Sequence, residues 1–321
     1  MLAEWEPQSM VQLTWPHEGT DWAPILNEIT AVYEEMAREI RKREPLLIVD
    51  DIPHNDTWAR DHGFITVEQT TIRDTTLCSA ENNEQPKALI LMDFGFNGWG
   101  EKFEATLDNQ INTRLYEQRL VKGIYEDHLD FVLEGGSIES DGKGTVFTTE
   151  CCLMAPHRNQ PLTKEEIEER LKEWLGAERI VWLQHGSLIG DDTDGHIDTL
   201  VRICPNDTLL FTEGDDDHPD LALMEDELNN LKTMEGKSYR LLKLPLPRPI
   251  YDDGDRLPAT YANYLVINGA VLVPTYKQPD MDQRAMSIIQ QAFPDREIVG
   301  IDCCAVIKQH GSLHCCTMQY Y

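Results

Sequence analysis

The sequence predicts a single α/β domain that spans residues 1–321, and three observations support this prediction. Short apolar runs bounded by Gly, Asn, Asp and Pro alternate with segments whose apolar residues recur at helical spacing. No Ser/Gly-rich linker or low-complexity tract interrupts the alternation. Polar motifs also recur 52 to 73 residues apart, at Asp61, Glu134, His196, Asn263 and Cys315. Such intervals suggest five similar modules around a central axis, each giving one residue to a shared site.

The helices follow from the apolar spacing. Four segments are predicted to be helical: residues 21–43, 163–175, 221–234 and 282–293. The second has the clearest ends, because Thr163 and Glu166 form a capping-box pattern and Gly176 follows as a stop signal.

The strands follow from the apolar runs. Six runs are predicted to be strands: residues 46–49, 88–92, 179–183, 208–212, 264–269 and 270–274. Asn268-Gly269 predicts a hairpin between the last two. The final segment, residues 309–321, is rich in Cys, Met and Tyr, so we expect it to dock as a strand rather than fray.

Composition narrows the classes of function. The formal net charge is −29, from 28 basic and 57 acidic residues, so the chain should repel nucleic acid and anionic membranes and attract small cations. No run of eighteen apolar residues is present, and residues 1–10 do not resemble a signal peptide. The eight cysteines include three adjacent pairs but no CxxC, which favours a reducing compartment, the cytoplasm, over a disulfide or zinc scaffold.

Two motifs combine carboxylates with aromatic residues or glycines. NDTWARDHG, residues 55–63, offers Asp61 as a partner for a planar cation and Trp58 as an aromatic face, although an Arg-Asp pair beside a core Trp is the structural alternative. FVLEGGSIESDGKG, residues 131–144, places Glu134 at a strand end before two glycines, which allow close approach of a ligand.

A third motif, GDDTDGHID at residues 190–198, packs four carboxylates around one histidine. In an extended segment, Asp194, His196 and Asp198 would share one face. Two chemistries remain open for this arrangement. The three residues could hold a divalent metal, or His196 could act as a general acid and base while Asp198 binds a guanidinium.

The tail carries His314 and two cysteines, Cys315 and Cys316, after a Gly-Ser turn. A buried inert pair is the common outcome for free cysteines. A thiol becomes reactive when a cation stands nearby, and a cationic substrate would supply that charge itself. Asn263, within LPATYANYL at residues 257–265, is a minor site candidate.

Taken together, the motifs resemble the agmatine deiminase and bacterial peptidylarginine deiminase family of the guanidine-modifying (pentein) superfamily. The resemblance runs nearly end to end, through TWPHEGTDW, NDTWARDHG, LEGGSIESDG, GDDTDGHID, LPATYANYL and LHCCTMQ. It implies an α/β propeller of five modules with pseudo-fivefold symmetry.

The resemblance also implies residue roles. Cys315 would be the nucleophile, His196 would protonate the leaving ammonia, and Asp61 and Asp198 would bind the guanidinium. Glu134 would orient the substrate, Trp58 and Asp192 would meet its alkyl-amine end, and Cys316 would only pack. No metal or other cofactor is expected.

The predicted function is therefore cytoplasmic hydrolysis of a small cationic guanidine, agmatine first, with a homo-oligomer possible. Three alternatives stay open: deimination of peptidylarginine, metal-dependent amidinohydrolysis through Asp194, His196 and Asp198, and guanidinium binding without catalysis.

Overall fold

The computed structural model describes residues 1–70 and 87–321, and within these ranges strands and helices alternate as predicted. Most predicted strands are confirmed, several of them to the residue. The strands are β1 (Met10–Thr14), β2 (Leu46–Val49), β3 (Ile65–Thr70), β4 (Lys87–Gly95), β5 (Ile124–Val132), β6 (Glu139–Ser140), β7 (Thr145–Thr149), β8 (Arg179–Leu183), β9 (Val201–Cys204), β10 (Thr208–Thr212), β11 (Arg240–Leu244), β12 (Tyr251–Asp252), β13 (Asp255–Arg256), β14 (Leu265–Ile267), β15 (Ala270–Thr275), β16 (Glu297–Asp302) and β17 (Thr317–Tyr320).

The described strands form five three-stranded sheets and one short two-stranded pair, β12-β13. The three-stranded sheets have the orders β17-β1-β2, β3-β4-β5, β6-β7-β8, β9-β10-β11 and β14-β15-β16. In each of them the central strand pairs antiparallel with one neighbour and parallel with the other. The mixed α/β class is confirmed, and five-fold symmetry stays a prediction.

The helices lie between the strands, and the four predicted ones are present with shifted ends. The helices are α1 (Leu26–Arg41), α2 (Ala59–His62), α3 (Gly98–Glu101), α4 (Ile111–Glu117), α5 (Glu150–Leu153), α6 (Lys164–Leu175), α7 (Pro219–Asn230) and α8 (Pro279–Ala292). The capping box of Thr163 and Glu166 is formed, and Gly176 ends α6 with a φ of 64°. Helix α7 stops earlier than predicted because Leu231 turns extended. No helix in the described ranges is long and apolar enough to cross a bilayer.

The tail docks as predicted. Strand β17 is buried along its length and pairs antiparallel with β1, from Met10 opposite Tyr320 to Leu13 opposite Thr317. The Tyr320 hydroxyl also donates to Gln12 Oε1 at 2.6 Å. These bonds fix the segment that carries Cys315 to the first sheet of the chain.

Candidate active site

A cavity of about 180 Å³ lies where short turns from distant parts of the chain meet. That is many times the roughly 10–15 Å³ a water molecule needs by the same measure, so a small organic molecule fits. Its lining contains four aspartates, three aromatic residues and one cysteine, but no lysine or arginine. The lining residues are Asp21, Asp56, Trp58, Asp61, Trp99, Phe103, Asp192, Thr193, Gln309, His310, Gly311 and Cys315. The cavity is therefore suited to a cation.

Asp61 is held in the cavity wall by neutral donors. It lies on α2, which contacts the turn at Gly135–Ser137 and β17. Its carboxylate accepts from Trp99 Nε1 at 2.9 Å and from the Gly136 backbone N–H at 3.1 Å. Burial, together with the charges of Asp198 and Glu134, raises the pKa of Asp61. Its ionised form therefore gains from a nearby cation.

Gly136 allows three of the predicted site residues to meet. A Cβ at this position would lie 2.6 Å from His196 Nδ1, 2.9 Å from Asp61 Oδ1 and 3.2 Å from Asp198 Oδ2. His196 Nδ1 itself is 3.7 Å from Asp61 Oδ1. The glycine pair that the sequence marked for close approach is thus required for this packing.

His196 and Asp198 are completely buried beside Asp61. Neither ring nitrogen of His196 has a hydrogen-bond partner among the described residues, and Asp198 Oδ1 has none either. Buried polar atoms are normally paired, so unpaired ones beside a cavity point to a ligand or a catalytic role. The pKa of Asp198 lies below its usual value. Burial alone would raise this pKa, but the hydrogen bond and charge of His314 lower it by more.

Cys315 lies at the cavity with its thiol near Asn263. The sulfur donates to Asn263 Oδ1 at 3.4 Å, and the same oxygen accepts from the Cys315 backbone N–H at 3.3 Å. Burial and the charges of Asp198 and Asp61 raise the pKa of Cys315 well above its usual value. The thiol is therefore protonated unless a cation binds beside it. Cys316 is fully buried and does not line the cavity.

Trp58 and Asp56 form the aromatic and acidic part of the wall. The Trp58 ring lies against the Gly311 backbone, where an added Cβ would collide with the ring. Trp58 Nε1 donates to Asp56 Oδ2 at 2.9 Å. Burial raises the pKa of Asp56 to about 7. Asp192 lines the same cavity, with Oδ2 3.3 Å from His310 Nδ1.

Glu134 does not line the cavity, and its carboxylate has an internal partner. Arg158 Nε donates to its two oxygens at 3.0 and 3.3 Å. The same guanidinium donates to Asp194 Oδ2 at 2.6 Å. Glu134 therefore lies beside His196 with its charge already balanced by Arg158.

The predicted extended geometry of residues 190–198 is wrong. Asp194 has a φ of 65° and Gly195 one of 87°, and Ile197–Thr199 form a 3-10 turn. Asp194 consequently pairs with Lys102 Nζ at 2.8 Å and with Arg158. His196 instead faces Asp61, and Asp198 bonds to His314. The three residues do not share a face as metal ligands would need to.

Among residues 1–70 and 87–321, two groups of side chains have the types and spacing that could hold a metal: Glu134 with Cys152 and His196, and Glu4 with Glu139 and His314. In both groups, an arginine already forms ion pairs with the carboxylates. Arg158 binds Glu134, while Arg202 pairs with Glu4 at 2.7 Å and with Glu139 at 2.5 Å. A metal ion would have to compete with these guanidinium groups.

Residues 1–320 match the model of the Porphyromonas-type peptidyl-arginine deiminase family. The chain belongs to this family. The agmatine deiminase of Pseudomonas aeruginosa is 30% identical over 99% of this chain and 94% of its own length. The predicted resemblance is confirmed, and the protein is a hydrolase of C–N bonds in linear amidines.

Solved structures of this deiminase family support the same conclusion. A Porphyromonas gingivalis structure named for arginine deimination shares 45% identity with a TM-score of 0.88, covering 99% of this chain and 97% of that one. The agmatine deiminase of C. jejuni, solved with substrate bound in a cysteine-to-serine variant, shares 34% identity with a TM-score of 0.87, covering 100% and 95%. The fold is therefore similar to that of pentein deiminases.

Several residues of the site were not predicted from the sequence. Asp56 lies inside the NDTWARDHG motif but was passed over for Asp61. Trp99, which binds Asp61, lies in FNGWGEKF, where two glycines beside a Trp could have been a signal. Arg158 and Arg202 gave no signal, because an isolated arginine in a sequence does not reveal its burial.

Proposed function

We propose that this deiminase hydrolyses agmatine to N-carbamoylputrescine and ammonia, through a covalent intermediate on Cys315, as a step of putrescine synthesis in the cytoplasm. The observation that carries the proposal is the pairing of a cysteine thiol with four aspartates in a cavity whose lining includes no lysine or arginine. Such a lining selects a cation, and the thiol selects an electrophilic carbon.

The guanidinium carbon is resonance-stabilised, so it must be positioned before it reacts. Asp61 and Asp198 bind the guanidinium nitrogens and fix its plane over the sulfur. The bound cation offsets the negative charges that keep the Cys315 thiol protonated, and this favours the thiolate. Substrate binding and activation of the nucleophile are thus one event.

The reaction then proceeds in two halves. The thiol gives its proton to His196 as the sulfur bonds to the guanidinium carbon, and the C–N bond to the departing ammonia breaks as His196 passes that proton to the leaving nitrogen. Water next adds to the amidino-thioether carbon and gives a proton to His196. The C–S bond breaks, which leaves a urea group on the product and restores the thiol. Glu134, held by Arg158, has a carboxylate oxygen within 4.8 Å of a ring nitrogen of His196 and stays beside the ring through both halves.

The other end of agmatine is a primary ammonium on an alkyl chain. Trp58 offers a flat apolar face for the chain, and Asp56 and Asp192 offer carboxylates for the ammonium. A substrate with two cationic ends therefore fits better than one with a single guanidinium. A small substrate also fits the volume of the cavity better than a protein side chain with its attached backbone.

The test compares ammonia release from agmatine with release from a blocked arginine peptide, with and without EDTA. We expect agmatine to be preferred by kcat/KM, the product mass to be that of N-carbamoylputrescine, and EDTA to have no effect. Preference for the peptide would instead assign the protein to peptidylarginine deimination. Urea release abolished by EDTA would assign a metal-dependent amidinohydrolase. Tight agmatine binding without turnover would leave a binding protein.

The covalent step has its own test. Intact mass spectrometry of the wild-type protein, quenched in acid during turnover of excess agmatine, should show an amidino adduct that is absent when Cys315 is replaced. An unmodified protein mass under conditions of slow turnover would exclude the covalent route.

A further inference from the structure

His314, the residue before the proposed nucleophile, lies between two carboxylates. Its Nδ1 is 2.7 Å from Asp198 Oδ2, and its Nε2 is 2.8 Å from Glu4 Oε2. The side chain is 2% exposed, so water cannot replace either partner. An ionised carboxylate only accepts hydrogen bonds, so both ring nitrogens must donate. The geometry is that of an imidazolium bridging two anions.

The surrounding charges are consistent with this state. Burial raises the pKa of Glu4, but the charge of Arg202, whose Nη2 lies 2.7 Å from Glu4 Oε2, contributes most to holding it below its usual range. Glu139 also faces the cluster, and burial raises its pKa despite Arg202. Two cations, Arg202 and His314, thus face two or three carboxylates, so a protonated ring adds no excess positive charge.

The contact of Arg202 with the ring does not compete with this arrangement. Arg202 Nη2 is 3.3 Å from His314 Nε2, but it is closer to Glu4 Oε2, at 2.7 Å. Both nitrogens therefore donate to the same Glu4 oxygen from neighbouring positions. Arg202 is in turn anchored on the backbone carbonyls of Ala262 and Tyr264, on either side of Asn263.

His314 also links the two parts of the site whose relative position matters, Asp198 and the Asn263 amide that contacts Cys315. The His314 backbone N–H donates to Asn263 Oδ1 at 2.9 Å, the oxygen that also accepts from Cys315. Asp198 Oδ2 is used by the ring, while Oδ1 is buried without a partner among the described residues. The bond from His314 thus fixes which oxygen of Asp198 remains for a substrate.

We propose that His314 is a positioning residue, whose doubly protonated ring fixes Asp198 relative to the sulfur of Cys315 and anchors this pair on Glu4. The inference rests on the proposed function, in which Asp198 binds the guanidinium and Cys315 attacks it. Its effect is exerted through Asp198, and the ring itself does not touch the substrate.

Two substitutions separate the two ends of the ring. In His314→Asn the amide nitrogen takes roughly the place of Nδ1 and can still donate to Asp198, but it does not reach Glu4. In His314→Gln the amide nitrogen takes roughly the place of Nε2 and can donate to Glu4, but the bond to Asp198 is lost. Both remove the charge, so the difference between them isolates the bond to Asp198.

We expect kcat/KM for agmatine to fall roughly 100-fold in His314→Gln, mostly through KM, and roughly 10-fold in His314→Asn, because misplacing a binding group by about 1 Å can cost 10²-fold. The low-pH limb of kcat/KM should move to higher pH in both, because Asp198 loses the cation that lowers its pKa. His218→Asn is the control, because His218 is also buried and lies outside the cavity. Its Nδ1 is 2.7 Å from Asp215 Oδ1. It should change kcat/KM less than about 2-fold.

A loss in His314→Asn equal to or larger than that in His314→Gln would overturn the proposal, since the ring would then act through Glu4 alone. Nitrogen NMR of the wild-type protein gives a readout that does not require folded variants. Both ring nitrogens of His314 should carry a proton, as the contacts to Asp198 and Glu4 require, and a singly protonated ring would contradict the proposal. A wrong proposed function would give a different result from a wrong role of His314. In that case wild type would release no ammonia from agmatine, but the nitrogen spectrum of the His314 ring would be unchanged.

Discussion

The carboxylates at the cavity wall and those behind it are stabilised differently. Asp56 and Asp61, at the wall, accept hydrogen bonds only from neutral N–H groups in the described structure, such as those of Trp58 and Trp99. Their pKa values are raised. Asp198 and Glu4, behind the wall, lie beside internal cations and have lowered pKa values.

This difference explains how the site can be both stable and reactive. The rear carboxylates are neutralised by His314, Arg158 and Arg202, which are part of the fold. The wall carboxylates receive their counter-charge from the ligand. Removing a rear cation should therefore damage stability, whereas removing a wall carboxylate should damage activity. Four substitutions distinguish these effects on stability from those on activity, from the largest expected change to the smallest.

Replacement of the nucleophile should have the largest effect. Cys315→Ser should lower kcat by on the order of 10⁴-fold or more, because the hydroxyl is a far poorer nucleophile at neutral pH. The measurement is ammonia release at saturating agmatine. Cys316→Ala, the matched control, should keep kcat within a few-fold because Cys316 does not line the cavity. Equal losses in the two variants would exclude Cys315 as the nucleophile.

Breaking a rear ion pair should destabilise the fold. Arg158→Met leaves Glu134 buried without its cation, and the free energy of unfolding should fall by about 3–5 kcal/mol. Urea unfolding measures this change. Arg248→Met is the control, because Arg248 pairs with Asp280 on the surface, and its midpoint should barely move. An unchanged midpoint in Arg158→Met would mean that the rear cations do not stabilise the fold.

Removing a wall carboxylate should lower enzymatic activity much more than it lowers the stability of the fold. Asp61→Asn should lower kcat/KM by about 10²-fold, since one guanidinium contact and its charge are lost. The unfolding midpoint at pH 7 should fall less than in Arg158→Met, because relief from burying the charge of Asp61 offsets the loss of one hydrogen bond, from Trp99 or Gly136. The control Asp93→Asn removes another buried carboxylate with a raised pKa, outside the cavity, and should keep kcat/KM within about 2-fold.

The distal carboxylate should have the smallest effect, and one that depends on pH. Asp56, with a pKa of about 7, is neutral below that pH and ionised above it. The KM for agmatine should therefore rise as pH falls through about 7. Asp56→Asn should raise KM about 10-fold at pH 8 and remove this step. Butylguanidine, which lacks the distal ammonium, should show neither change; if it showed both, Asp56 would not bind the ammonium.

The sequence predicted the parts of the fold with strong local patterns. Strands 46–49, 179–183 and 208–212 have continuous apolar runs at their centres and were predicted to the residue. Strand β5 was missed because its sequence, IYEDHLDFV, mixes charged and apolar residues at a sheet edge. Strand β17 was expected only from the argument that a thiol-rich tail must dock.

The candidate site was predicted unevenly for a physical reason. Asp61, Trp58, Asp192 and Cys315 do line the cavity, and each lies in a conspicuous polar motif. The geometry of residues 190–198 was wrong, because a left-handed Asp194 cannot be foreseen from an alternating pattern. The rear cations were missed altogether, since long-range pairs such as Arg202 with Glu4 leave no local pattern.

Because the ligand supplies the positive charge that the cavity wall lacks, agmatine binding should release protons from the wall carboxylates. Calorimetric titration of Cys315→Ser with agmatine at pH 6.5, in buffers of different ionisation enthalpy, counts the protons exchanged. Net release is expected, because Asp56, with a pKa of about 7, ionises as the cation binds, and the release should be smaller in Asp56→Asn. Binding with no proton exchange, or with proton uptake, would contradict it.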